Sequence, residues 1–137
     1  MNRLRKMGVG LTYWWAALVV ACGGDDSTEA DRLGVGAQCT TSEDCPQPDN
    51  ETDPALECLS QFKGGYCGLS DCNGDADCPA ASACVAHTDG QNYCFRICTD
   101  KSECNVNRDP NNESNCSANI DFVGDPGNVK ACVPPSG

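Results

Sequence analysis

Cysteine is the residue type on which the chemistry of this chain turns, with thirteen among 137 residues. A thiol at that density can become a disulfide, a metal ligand, a nucleophile or an acylation site, and spacing separates these fates. Twelve of the thirteen fall into three quartets: Cys39, Cys45, Cys58 and Cys67; Cys72, Cys78, Cys84 and Cys94; Cys98, Cys104, Cys116 and Cys132. Five residues separate the first two members of every quartet, while the later spacings stretch. Zinc sites and thioredoxin-like redox sites both want Cys-x₂-Cys, which occurs nowhere here. The twelve therefore read as disulfides formed in an oxidising compartment. Four cysteines allow three connectivities. First-to-third with second-to-fourth would clamp the tight loop onto two hairpin arms. Pairing between quartets stays open, because the joints Gly68–Asp71 and Phe95–Ile97 are so short.

Other chemistry is sparse. His87 is the only histidine, so Ser–His or Cys–His catalysis would rest on one unsupported base. A solvated imidazole on a hairpin arm is expected instead. Paired carboxylates are easily found among 20 acidic residues, but a chain this poor in apolar residues offers little pocket for hydrolysis. Neither a phosphate-binding nor a dinucleotide-binding glycine pattern is present. Asp71, Asn73, Asp75 and Asp77 alternate along the second tight loop, echoing the oxygen ligands of calcium loops. An EF-hand would want glycine and glutamate where the chain has Ala76 and Ser82, and short acidic loops commonly bond their own backbone. A calcium-binding module is thus one alternative. A protease inhibitor displaying Gln61-Phe62-Lys63-Gly64 as a basic hairpin tip is another. The leading expectation is a non-catalytic module without a cofactor.

The elements that must hold the cysteines repeat with them. An acid precedes each second cysteine: Asp44, Asp77 and Glu103. Turn residues flanked by apolar or aromatic ones follow each third cysteine: Lys63-Gly64-Gly65, Asp89-Gly90 and Gly124-Asp125-Pro126-Gly127. The expected fold is small and disulfide-rich, with little helix apart from the signal peptide argued below. It has three tandem four-cysteine repeats, 37–70, 71–97 and 98–137, each a tight loop plus a short β-hairpin. Beyond Gly36 the aromatics are only Phe62, Tyr66, Tyr93, Phe95 and Phe122, with no Trp or Met. Disulfides are expected to replace an apolar core, each limiting the unfolded ensemble by about 3 kcal/mol for a loop of about 15 residues. Asn105–Ser117 and Pro46–Pro54 read as polar contact loops.

Met1–Lys6 carries three positive charges, and Gly8–Ala21 follows with fourteen uncharged residues. That run falls short of the roughly 20 residues a membrane span needs and fits a signal peptide over 1–21. Val19-Val20-Ala21-Cys22 resembles the lipobox of bacterial lipoproteins. The resemblance implies that Cys22 receives a diacylglycerol, that cleavage falls before it, and that its amine takes a further acyl chain such as palmitate. Gly23 in the next position favours the outer membrane. Parity agrees, because assigning Cys22 to lipid leaves an even twelve. Residues 22–36, the lipidated cysteine with the acidic stretch Gly23–Gly36, are expected to form a disordered tether with a reach of about 20 Å.

Net charge is −11 for the whole chain, and removing 1–21 leaves 6 basic against 20 acidic residues. Nucleic acid is an unsuitable partner for such a surface. The expected partners are the membrane, through the lipid, and an envelope or extracellular protein. Cys-x₅-Cys-Pro-x₄-Cys at Cys72–Cys84 also resembles Dickkopf N-terminal and colipase-like cysteine-rich modules. The likeness covers the second repeat, the first loosely, and the third through Cys98–Cys104. Those modules carry further cysteines absent here, so the resemblance implies architecture and no activity.

Overall fold

Five residues between two cysteines suffice for one helical turn. In the computed structural model, which describes residues 27–137, each Cys-x₅-Cys loop contains one. The turns are 3₁₀ at Ser42–Asp44 and Asp75–Asp77, and α-helical at Lys101–Cys104. The acid before each second cysteine now has a reason. Asp44, Asp77 and Glu103 each accept a hydrogen bond from the backbone N–H just after the first cysteine: Thr40 at 2.8 Å, Asn73 at 2.8 Å and Thr99 at 3.1 Å. An amide that the turn leaves unpaired is thereby satisfied the same way three times.

Seven short strands follow: β1 (Glu57–Cys58), β2 (Cys67–Ser70), β3 (Ser82–Ala86), β4 (Asn92–Cys98), β5 (Asn115–Ser117), β6 (Asp121–Phe122) and β7 (Lys130–Val133). Antiparallel register sets the third and fourth cysteines directly opposite one another, as Cys58–Cys67, Cys84–Cys94 and Cys116–Cys132. They do not bond across the ladder. Each reaches back to the tight loop, giving Cys39–Cys58, Cys45–Cys67, Cys72–Cys84, Cys78–Cys94, Cys98–Cys116 and Cys104–Cys132. The pairing is first-to-third and second-to-fourth in every quartet.

The third hairpin departs from expectation. Its arms are β5 and β7, while β6, from the segment between them, pairs with β3 of the second repeat. Strand β4 joins everything: it pairs with β3, with β2 of the first repeat and with β7 of the third. Side chains alternate across its two faces. Cys94 clusters with Cys72 and Cys84, whereas Tyr93 and Phe95 belong to the main core.

That core corrects the expectation that disulfides replace an apolar interior. Phe62 and Tyr66 from the first repeat meet Tyr93 and Phe95 from the second, with ring centroids 5.1–6.2 Å apart and all four at most 2 % exposed. Most of these contacts are edge-to-face, which suits the ring quadrupoles. Phe122 from the third repeat packs at the margin. Scarce aromatics suffice because the repeats pool them.

The tether is likewise corrected from Thr28 onward. Thr28 and Asp31 form a reciprocal capping box for a helical turn at Glu29–Arg32. Gly34 follows with φ +69°, a conformation glycine adopts readily. Ala30, Leu33 and Val35 are then buried in the shared core. Ala30 N–H bonds Ala80 C=O at 3.0 Å, and Arg96 pairs with Asp31. Three apolar side chains cannot order a segment alone, but here a core is waiting for them. The predicted signal peptide and Cys22 lie outside the described residues.

Tyr66 links all three repeats. Fully buried, its hydroxyl accepts from Arg96 N–H at 3.1 Å and donates to Cys132 C=O at 3.3 Å. Burial pushes this phenol far above its ordinary range. Replacing Tyr66 with Phe keeps the ring but leaves both groups without that partner. The expected cost is about 1–3 kcal/mol in denaturant unfolding of the oxidised protein. Gly65 is less forgiving: at φ +68°, a Cβ there would lie 2.1 Å from the Cys39 carbonyl oxygen and 2.8 Å from Sγ of Cys39 and Cys58. Gly65→Ala should leave titratable thiols at Cys39 and Cys58 after oxidative refolding.

Candidate functional site

The cysteines named from sequence end in disulfides, and Cys22 lies outside the described residues. The two disulfides of each quartet are neighbours, with three of their Sγ atoms within 4.8 Å of one another. Among the described residues these cysteine trios are the only sets of three or more His, Cys, Asp or Glu ligand atoms so gathered. The acidic loop therefore does not converge on a point. Asp75 Oδ1 accepts from Cys84 N–H and Asp77 Oδ2 from Asn73 N–H, both at 2.8 Å. Asp71 turns the backbone with φ +60° and donates its N–H to Asn92 C=O at 2.9 Å. The Asp75 and Asp77 carboxylates organise the loop itself.

The hairpin tip that suggested an inhibitor is pinned from two sides. Phe62 is buried, Lys63 N–H bonds Pro135 C=O at 3.0 Å, and Gly137 N–H bonds Gln61 C=O at 3.1 Å. On the other side lies Arg108, from the Asn105–Ser117 stretch expected to be a free contact loop. No carboxylate among the described residues pairs with its buried guanidinium, which donates instead to the carbonyls of Gly36 (3.1 Å), Lys63 (2.9 Å), Gly65 (2.9 Å) and Asn112 (2.8 Å). Its Cζ also sits 5.8 Å from the centroid of the Tyr66 ring. Burial lowers its pKa from the usual arginine range. This side chain welds the third repeat to the first.

His87 is the residue the sequence misplaces. Rather than solvated, its side chain is only 10 % exposed. The ring packs edge-on against Phe62 at 5.2 Å, Tyr93 at 5.9 Å and Phe95 at 6.1 Å. The backbone explains it: His87 N–H bonds Gln91 C=O across the Asp89-Gly90 turn, extending the β3–β4 pairing and turning the ring toward the aromatic face. Its buried Nδ1 faces Asp89 Oδ1 at 3.4 Å, an ion-pair distance without an aligned hydrogen bond.

Asp89 is itself held in place. Gln91 N–H donates to its Oδ1 at 2.9 Å, and the Tyr93 hydroxyl to its Oδ2 at 2.8 Å. Tyr93 in turn accepts from Gln61 Nε2 at 3.0 Å. Burial alone would raise the Asp89 carboxyl, but these hydrogen bonds and the nearby imidazole hold it below the usual range. Burial and the bond to Asp89 push the Tyr93 phenol up. A chain of polar contacts thus runs from the first repeat to His87. His87 lines a half-open cavity of about 340 Å³ between the second and third repeats, with Val85, Asn119, Ile120, Asp121 and Val133. Sequence reasoning could have found this only by pairing Phe62 with the turn at Asp89, which lies in another repeat.

Asp31, Asp44, Asp89 and Asp100 are all depressed in the fold. For a lowered carboxyl, the stability it lends is complete above the unfolded value near 3.9 and is lost as pH falls through the folded value. The melting temperature of the oxidised protein should therefore decline below about pH 4, and Asp89→Asn should flatten part of that decline. Comparison of the chain with protein-family models, with curated proteins and with solved structures finds no match.

Proposed function

We propose that this chain is a cell-envelope lipoprotein whose ectodomain is a non-catalytic interaction or structural module. The observation that carries the reading is cysteine parity. All twelve cysteines of the described residues are paired with one another, so none among them is left for Cys22. A lone thiol in a lipobox-like setting is an acylation site, and attachment through two or more acyl chains gives stable membrane binding. Six disulfides belong to an oxidising, extracytoplasmic setting, and no helix of the described residues is long and apolar enough to cross a membrane. The outer membrane is the proposed address, because Gly23 rather than aspartate follows the lipid cysteine.

The ordered fold begins at Thr28, six positions after the proposed acyl site at Cys22. The module then stands close to the head groups, and its acidic surface keeps it from lying on an anionic bilayer. Joined by β4 and Tyr66, the repeats present one rigid surface to a partner, which lowers the entropy lost on binding. Intact-mass analysis of membrane-extracted protein, before and after reduction, tests the reading. Expected are a chain beginning at Cys22, an added acyl mass, and a gain on reduction of two hydrogens for each of the six disulfides. A mature chain without acyl mass and with a free Cys22 thiol would overturn it.

A further inference from the structure

The cavity beside His87 combines three features that select one kind of ligand. Its volume of about 340 Å³ is enough for a small molecule. Val85, Ile120 and Val133 give it apolar walls. Its one formally charged side chain is an acid, Asp121. The carboxylate facing Nδ1 favours the tautomer protonated there, which leaves Nε2 as an acceptor for whatever occupies the cavity. Asp121 adds an exposed carboxylate, Asn119 an amide and Thr88 a hydroxyl, and the lining contains no lysine or arginine. A transition metal would want more: His87 belongs to no set of three ligating side chains gathered within 4.8 Å. An organic anion would find no cation to pair with.

We propose that this cavity binds a small organic ammonium ion. The hydrocarbon body lies against Val85, Ile120 and Val133, and the ammonium N–H groups donate to His87 Nε2 and the Asp121 carboxylate. The chain's net charge of −11 raises the local concentration of such cations. The aromatic core and Asp89 hold the imidazole in one orientation before the ligand arrives, so little ordering accompanies binding.

Proton NMR of the full-length oxidised chain tests this directly, because the only histidine supplies the only imidazole signals. Titration with benzylammonium in mildly alkaline buffer should shift the His87 ring resonances to saturation. Benzyl alcohol, of the same shape without the charge, should bind about tenfold more weakly. Asp121 joins the fold through its backbone pairing with β3, and its carboxylate holds no other element, so Asp121→Asn should preserve the near-ultraviolet spectrum while removing the preference for the amine. Equal affinity for amine and alcohol, an unchanged preference in Asp121→Asn, or no shift with benzylammonium at millimolar concentration would overturn the proposal. Its failure leaves the envelope reading intact, since that reading uses no property of this cavity.

Discussion

Because Tyr66 is wholly buried, its hydroxyl must find partners inside the protein, and both belong to repeats other than its own. One is the Arg96 N–H on β4, and the other is the Cys132 carbonyl on β7. The ring beneath that hydroxyl packs on Phe62 and Phe95 and lies beside Arg108. Arg108 then fastens Gly36, Lys63 and Gly65 through their carbonyls. A polar group in a low-dielectric interior is costly when unpaired and specifying when satisfied. Here it fixes how three similar hairpins sit relative to one another, which no disulfide does, since every disulfide lies within a repeat.

Two kinds of stabilisation divide the work. Disulfides shape each repeat locally by limiting its unfolded ensemble. Aromatic burial joins the repeats, because no single repeat holds enough apolar surface to form a core. Strand β4 separates the two contributions physically, with Cys94 on one face and Tyr93 and Phe95 on the other.

What could be read in the sequence was local. The Cys-x₅-Cys loop, the acid before its second cysteine, and the β-hairpins of the first two repeats all depend on neighbours within about thirty residues. What escaped was set at long range. The turn at Gly124–Gly127 places Asp121–Phe122 in its own repeat's hairpin, yet β7 pairs with β5 and β4 instead, and Asp121–Phe122 pairs with β3. Composition places Ala30, Leu33 and Val35 in an acidic tether, since it weighs charge and glycine and cannot see a core supplied from elsewhere. Local sequence places His87 in water for the same reason. Its burial depends on Phe62, a residue of another repeat. The polar chain from Gln61 through Tyr93 to Asp89 is invisible in any one repeat.

The central position of β4 gives the array a fixed order. In a stacked solenoid each unit offers the next the same surface, so units can be added or removed at the ends. This molecule instead spends β4 on both of its neighbours, through Leu69–Cys94 with the first repeat and Ile97–Ala131 with the third. The middle quartet is a keystone, and the outer two are not copies of it in any role. Trading the middle quartet for either of the others would lose the pairings that β4 alone makes with both.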